Sequence, residues 1–326
     1  METVSRIVCP VDLSKGARDA VARAATLARL HHAELHLLHV PGGGDESPPP
    51  SDHAQGVGLG VVVGAALWGP EGADPNDEVP LRLATERGHP VKAIAAYARR
   101  AGADLIAIGA QYGASRSWAR GSSVAAALGR SAPCPVFVAP QPDHTLPAPS
   151  RLPVVDVLCV VDFMASPDAA LRVGIGLVKR GGGRLTLVHV VGGCPDRTIF
   201  SASGALRRLR AYQAPAAGDK QRLRGLIPPR ELDPSRVEPL VVAGPLHQAI
   251  LRAASEVRPD LVVMNVTPGS AASAARAILR RATCPVLLTP APEAAARVNI
   301  PAFFDAMHGA RWMEPSPGGL VHQERA

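Results

Sequence analysis

The chain has 326 residues, 47% of them apolar but only 3% aromatic, with a net charge of +7. That length suggests about two domains of roughly 150 residues each, with cores of Ala, Val and Leu rather than rings. No apolar run reaches the ~18 residues of a membrane span, the five cysteines include no C-x-x-C pair of a zinc ribbon or dithiol, and the basic residues lack the interleaved aromatics of a nucleic-acid reader.

The N-terminal sequence "METVSRIVCPVD" leads directly into a strand, with no signal-peptide pattern, so a cytoplasmic protein is expected. A Val/Ile run ending at Asp12 is followed by "DLSKGARDAVARAATLARLHHA", whose apolar residues keep helical spacing, with Asp12 or Ser14 placed to cap it. A second run, "ELHLLHV", comes next. His36 and His39 are three residues apart on that strand and so point to opposite faces, while His31 and His32 end the preceding helix. They read as ordinary core and surface histidines, and no metal site is expected. Residues 41–78 form an irregular segment containing "GVGLGVVVGAALWG". As a dinucleotide fingerprint this fails, because no strand precedes it and no helix cap follows. It reads as an insert.

A third run, "VPLRLATERG", leads through "GHP" into the helix "VKAIAAYARRAG". A fourth, "ADLIAIG", opens the stretch "GAQYGASRSWARGSS" and another helix, and a fifth, "CPVFVAP", closes the unit. Alternating strands and helices, with strands apolar almost throughout, predict a parallel sheet covered on both faces. A ligand then belongs at the carboxyl edge of the strands.

The pattern repeats. Cys9 and Asp12 recur as Cys159 and Asp162, His39 and Val40 as His189 and Val190, and Cys134 as Cys284, each 150 residues on. Four cysteines are therefore repeat positions and read as small buried apolar residues. Asp104 recurs as Asp260, an offset of 156. The second unit thus gains six residues before its fourth strand and loses six after it, where Gly109 becomes Asn265. The expected division is a first domain at 1–142, a linker at 143–152, a second domain at 153–291 and a tail at 292–326.

The opening "IVCPVDLS", the "ELHLLHV" strand, the "GHP" and "GPL" steps, the "ADLIAIG" strand and the closing "APCPV" together make each unit resemble the universal stress protein domain, and the chain a tandem of two. The resemblance implies two doubly wound α/β sheets, each five-stranded and parallel with strand order 3-2-1-4-5, and pairing through the fifth strand as an internal pseudo-dimer. Some family members bind ATP through an Asp after the first strand and a Gly-x2-Gly-x9-Gly-Ser/Thr loop after the fourth. Carried over, Asp12 meets the adenine or ribose edge, Pro10, Val11 and Val40 line the base, and Gly109, Gly113, Gly121, Ser122 and Ser123 form the phosphate loop. The spacing here is Gly-x3-Gly-x7-Gly-Ser-Ser, with Tyr112 where a glycine is expected. Gly121-Ser122-Ser123 can still open a helix toward an anion, and Arg116 and Arg120 can pair phosphate oxygens.

The expected function is a stress-response module that binds ATP or a related nucleotide at one site, in the first domain only. A second reading is a nucleotide-free tandem scaffold with degenerate sites that works through protein partners. A third is a binder of anionic ligands or nucleic acid, although Arg207, Arg208, Arg210, Lys220, Arg222 and Arg224 read better as a solvated face. No Ser-His-Asp, Cys-His or paired-carboxylate set is legible, so the chain reads as a non-enzyme, with slow ATP hydrolysis left open. The expected partners are the nucleotide, the two domains for each other, a second copy as homodimer, and an unidentified protein; nucleic acid and membrane are not expected. In the tail, "IPAFFDAMHGARWM" reads as a short helix with aromatics near one stripe.

Overall fold

The computed structural model describes residues 4–12, 15–41, 79–110, 122–140, 156–163, 168–191, 218–266 and 270–289. In unit one the strands are β1 (Arg6–Val11), β2 (Glu34–His39), β3 (Leu81–Thr85), β4 (Leu105–Gly109) and β5 (Val136–Ala139). In unit two they are β6 (Val157–Val160), β7 (Leu185–Val191), β8 (Val237–Ala243), β9 (Leu261–Asn265) and β10 (Val286–Thr289). The helices are α1 (Lys15–His31), α2 (Pro90–Ala101), α3 (Ser122–Ser131), α4 (Asp168–Gly181), α5 (218–225), α6 (Leu246–Val257) and α7 (Ser270–Leu279).

The strands form one ten-stranded sheet in the order β3-β2-β1-β4-β5-β10-β9-β6-β7-β8. Each half is parallel with internal order 3-2-1-4-5, as the resemblance implies. The halves are not separate sheets, however: β5 and β10 pair antiparallel through Val286↔Val138, Leu287↔Phe137 and Leu288↔Val136. Phe137 and Leu287 are themselves repeat counterparts, so the pseudo-two-fold axis passes through that pair. Because the halves run in opposite directions, their carboxyl ends lie on opposite edges of the sheet.

Alternation along each strand sends side chains to two cores. Ile7, Cys9 and Val11 of β1 join a cluster with α1, α4 and α5. Val8 joins a second cluster with α2, α3, α6 and α7. Both clusters run through the β5–β10 junction, so the units share continuous cores. Cys9, Cys134, Cys159 and Cys284 are all buried as free thiols. Burial pushes Cys9 and Cys159 up to about 12 and Cys284 to about 11, and raises Cys134 as well. They are packing residues rather than reactive thiols.

The chain leaves β3 and β8 the same way. Gly88 (φ 115°) and Gly244 (φ 130°) take a backbone conformation that a side chain opposes. Pro90 then opens α2, and Pro245 caps α6. The two glycines are 156 residues apart, so the insertion of six lies between β7 and β8, before the third strand of unit two. Residues 218–225 are helical and the helix stops short of Pro228, which has no N–H to continue it. The insert 42–78 and the tail lie outside the described residues, as do the expected linker and Cys194.

Candidate functional site

Topology places the candidate site where the strand order reverses. β1 lies between β2 and β4, and the chain leaves β1 in one direction and β4 in the other, which opens a crevice at their carboxyl ends. Asp12 follows β1 directly and is half-buried, Val40 follows β2 and is buried, and Gly109 ends β4.

Pro10 has a specific effect on this crevice. The Asp104 N–H donates to the Arg6 carbonyl, and the Glu34 N–H to the Ser5 carbonyl, both at 2.9 Å. Even-numbered residues of β1 therefore turn their backbone groups toward β4, and odd-numbered ones toward β2. Pro10 faces β4 and has no N–H to donate. Pairing of β1 with β4 is registered only at Ile7↔Leu105 and Val8↔Ile106, and the last three residues of each strand have no registered partner across the gap. With β2, by contrast, β1 pairs along its full length, from Arg6↔Glu34 to Val11↔His39.

His39 secures the other side. Its Nδ1 lies 3.0 Å from the Val11 carbonyl. A carbonyl can only accept, so Nδ1 carries the proton. The bond holds the residue just before Asp12. His189 Nδ1 makes the same bond to the Val161 carbonyl, also at 3.0 Å, just before Asp162. Reading the sequence for metal ligands passes over this role. The signal that could have revealed it is the recurrence of His one position before each Val40/Val190 and opposite the strand end. His36 faces the other core, where its Nδ1 meets the Tyr97 hydroxyl at 2.9 Å. Among the described residues no group of three or more His, Cys, Asp or Glu could hold a metal ion.

Pro10, Val11, Asp12, Val40 and Gly109 are thus brought to one edge by three adjacent strands. Ser122 and Ser123 are the first two residues of α3. Gly113 and Gly121 lie outside the described residues, as do Tyr112, Arg116 and Arg120.

The same place in unit two is built differently in four respects. Val160 replaces Pro10 and keeps its N–H, and the pairing of β6 with β9 runs one pair further, through Val157↔Leu261, Leu158↔Val262 and Cys159↔Val263. Asn265 replaces Gly109 and sits opposite Thr289, where unit one has Gly109 opposite Ala139. The Thr289 hydroxyl donates to Asn265 Oδ1, tying the carboxyl ends of β9 and β10 together. Finally, Phe163, immediately after the exposed Asp162, packs on the core. Its ring lies 4.3 Å from the His189 ring, and the Arg222 guanidinium from α5 covers it at 4.0 Å, a cation–π stack. Val190, the counterpart of Val40, is drawn into the β7–β8 ladder opposite Val242.

No helix among the described residues is long and apolar enough to cross a membrane. The family model of the Universal stress protein family matches the chain twice, at residues 3–140 and 156–290. A universal stress protein of a Synechocystis strain is 30% identical over 135 residues, covering 41% of this chain and 84% of that protein. A solved universal stress protein from Archaeoglobus fulgidus is 17% identical with a TM-score of 0.58, covering 89% of this chain and 97% of that one. The last likeness shows the fold. A universal stress protein solved in complex with cAMP is 21% identical with a TM-score of 0.33, covering 42% of this chain and 98% of that one.

Proposed function

The chain belongs to the universal stress protein family, and from that premise we propose that it is a nucleotide-binding regulatory module with one working site, in unit one. The ligand is ATP or a related nucleotide, and the module acts without catalysing a reaction. The observation that carries this reading is the asymmetry between the two crevices. In unit one Pro10 ends the β1–β4 ladder after Val8, and no side chain larger than a methyl stands at the Gly109↔Ala139 pair. In unit two the same place is laced by Asn265 and Thr289, and the residue after Asp162, Phe163, is packed on the core under Arg222.

In this reading Pro10, Val11 and Val40 give the base an apolar wall. Asp12, held in place through the Val11–His39 bond, accepts hydrogen bonds from the ribose hydroxyls or the adenine edge. Gly109 lets the backbone turn off β4 toward phosphate. Gly113, Gly121, Ser122 and Ser123 complete the phosphate loop, with backbone N–H groups at the start of α3 facing the anion.

A thermal melt with and without ATP tests the proposal. At a concentration about 100 times Kd, binding stabilises the fold by ~2.7 kcal/mol, a rise of several degrees. Asp12→Ala and Gly109→Val are each expected to remove the rise, whereas Asp162→Ala is expected to leave it intact. A wild-type melt that does not move at millimolar ATP overturns the reading. A shift that Asp162→Ala removes moves the site to unit two.

A further inference from the structure

Helix α3 joins the two crevices. It starts at Ser122, at the carboxyl edge of unit one. Seven residues further on, about 10 Å along the axis at 1.5 Å per residue, Gly129 lies against unit two. A Cβ built on Gly129 would stand 2.7 Å from Leu288 Cδ1, 3.1 Å from Leu288 Cβ and 3.1 Å from Val266 Cγ2. Leu288 is in β10 and completely buried, and Val266 is the residue after Asn265, at the carboxyl end of β9. Leu288 Cδ1 is the end of a flexible side chain, but Leu288 Cβ and Val266 Cγ2, both at 3.1 Å, are fixed close to the backbone, and Val266 is β-branched and stiff. A side chain at position 129 therefore presses α3 away from unit two.

The pseudo-two-fold gives the reciprocal positions, and they are sized the other way. Gly129, Leu288 and Val266 correspond to Leu279, Val138 and Ala110. On one side of the axis the helix is small and the other unit's strand is large; on the other side the helix is large and the strand is small. The interface is therefore fitted for unit one against unit two. It also lets α3 sit closer to unit two than its counterpart α7 could sit to unit one.

We infer that unit two is the seat for the phosphate helix of unit one, and that Gly129 is the positioning residue that sets how deeply α3 sits. The inference rests on the reading of unit one as the nucleotide site. A helix is stiff along its axis, so a shift forced at Gly129 reaches Ser122 and displaces the backbone groups that face phosphate. The base and ribose contacts belong to β1 and β2 and are untouched. The second unit thus keeps a function after losing its own crevice.

The test is calorimetric binding of ATP and of adenosine to full-length protein. Gly129→Ala is expected to weaken ATP about tenfold, the loss of roughly one charge-assisted hydrogen bond, and to leave adenosine unchanged. Adding Leu288→Val, which shortens the side chain nearest the new methyl to the residue unit one has at Val138, is expected to restore ATP affinity. A Gly129→Ala protein with the wild-type ratio of ATP to adenosine affinity overturns the inference, as does one that loses both ligands together while the Leu288→Val protein binds normally. If Gly129→Ala alone does not fold, Val266→Ile, which presses on the same point of α3 from the unit-two side, decides: lowered ATP affinity with unchanged adenosine affinity supports the inference, and wild-type affinity for both ligands overturns it. Wild-type protein that binds neither ligand instead removes the nucleotide reading itself.

Discussion

Arg6 on β1 and Glu34 on β2 form an ion pair at 3.2 Å in unit one. The same two positions in unit two hold Asp156 and Arg184, with the charges exchanged and 3.7 Å apart. A second exchange occurs at the helix ends. His32 (φ 51°) answers Gly182 (φ 76°), and Gly102 (φ 62°) answers Arg258 (φ 51°), so each unit carries one glycine and one strained side chain in the left-handed region. These swaps leave the scaffold's energetics nearly level. The differences at the crevice mouths are of another kind, because among the described residues none is answered by an exchange in the other unit. Proline becomes valine, the glycine opposite alanine becomes asparagine opposite threonine, and a phenylalanine gains an arginine cover. Drift conserves the sum of the interactions where only folding is at stake, whereas the one-sided changes mark where the two units do different work.

The largest effect should come from the scaffold element the units hold in common. The Asp104 carboxylate at the start of β4 accepts from the Ser5 N–H at 2.8 Å, the Ser5 hydroxyl at 2.9 Å and the Arg6 N–H at 3.0 Å. Asp260 accepts from the Asp156 N–H at 2.9 Å. Charge-assisted bonds of this kind are worth about 2 kcal/mol. Asp104→Ala and Asp260→Ala are each expected to cost ~2 kcal/mol in urea unfolding. A cost confined to one of them breaks the idea of a common scaffold.

A smaller effect tests the exchange of helix ends. Arg258→Gly and His32→Gly should each stabilise by roughly 0.5–1 kcal/mol, since the left-handed conformation opposes a side chain but not glycine. Gly102→Arg and Gly182→His should cost about the same. If only one direction of the exchange shifts the urea midpoint, the swaps are not the level trade described above.

The smallest effect concerns pH. Glu34 meets His36 Nε2 at 3.1 Å as well as Arg6. The contact with His36 first, and then that with Arg6, holds its carboxyl below the ordinary value of 4.5. A lowered carboxylate adds stability that is complete above its unfolded value and lost as the pH falls through its folded one. Glu34→Gln should therefore flatten the decline in stability below about pH 4.5 and leave the slope near neutrality unchanged. The exposure of Glu34 keeps the effect small. An acid limb identical to wild type would remove Glu34 from the account.

The sequence alone located most of the scaffold. Short apolar runs at offsets of 150 and 156 fix the strands, because a strand buried on both faces must be apolar throughout. The Gly-Pro steps at 88–90 and 244–245 fix the entries into α2 and α6, because only glycine turns freely there. Four of the five cysteines read correctly as packing residues from their recurrence at the repeated strand positions. Asp12, Val40 and Gly109 were also legible as neighbours, because the ends of β1, β2 and β4 converge in any sheet with this order. Tertiary structure decided the rest. Whether Pro10 opens the crevice depends on which neighbour its missing N–H would have faced, and only the ladder settles that. Arg222 covers Phe163 from the far side of α4 and β7, a separation that no local pattern bridges. The antiparallel join of β5 to β10 is a contact between two strands that each look like the end of a sheet. Nothing in the sequence singles out Gly129, and only the closeness of Leu288 and Val266 shows that a side chain there would press on unit two, since a glycine's role is set by what stands beside it in space.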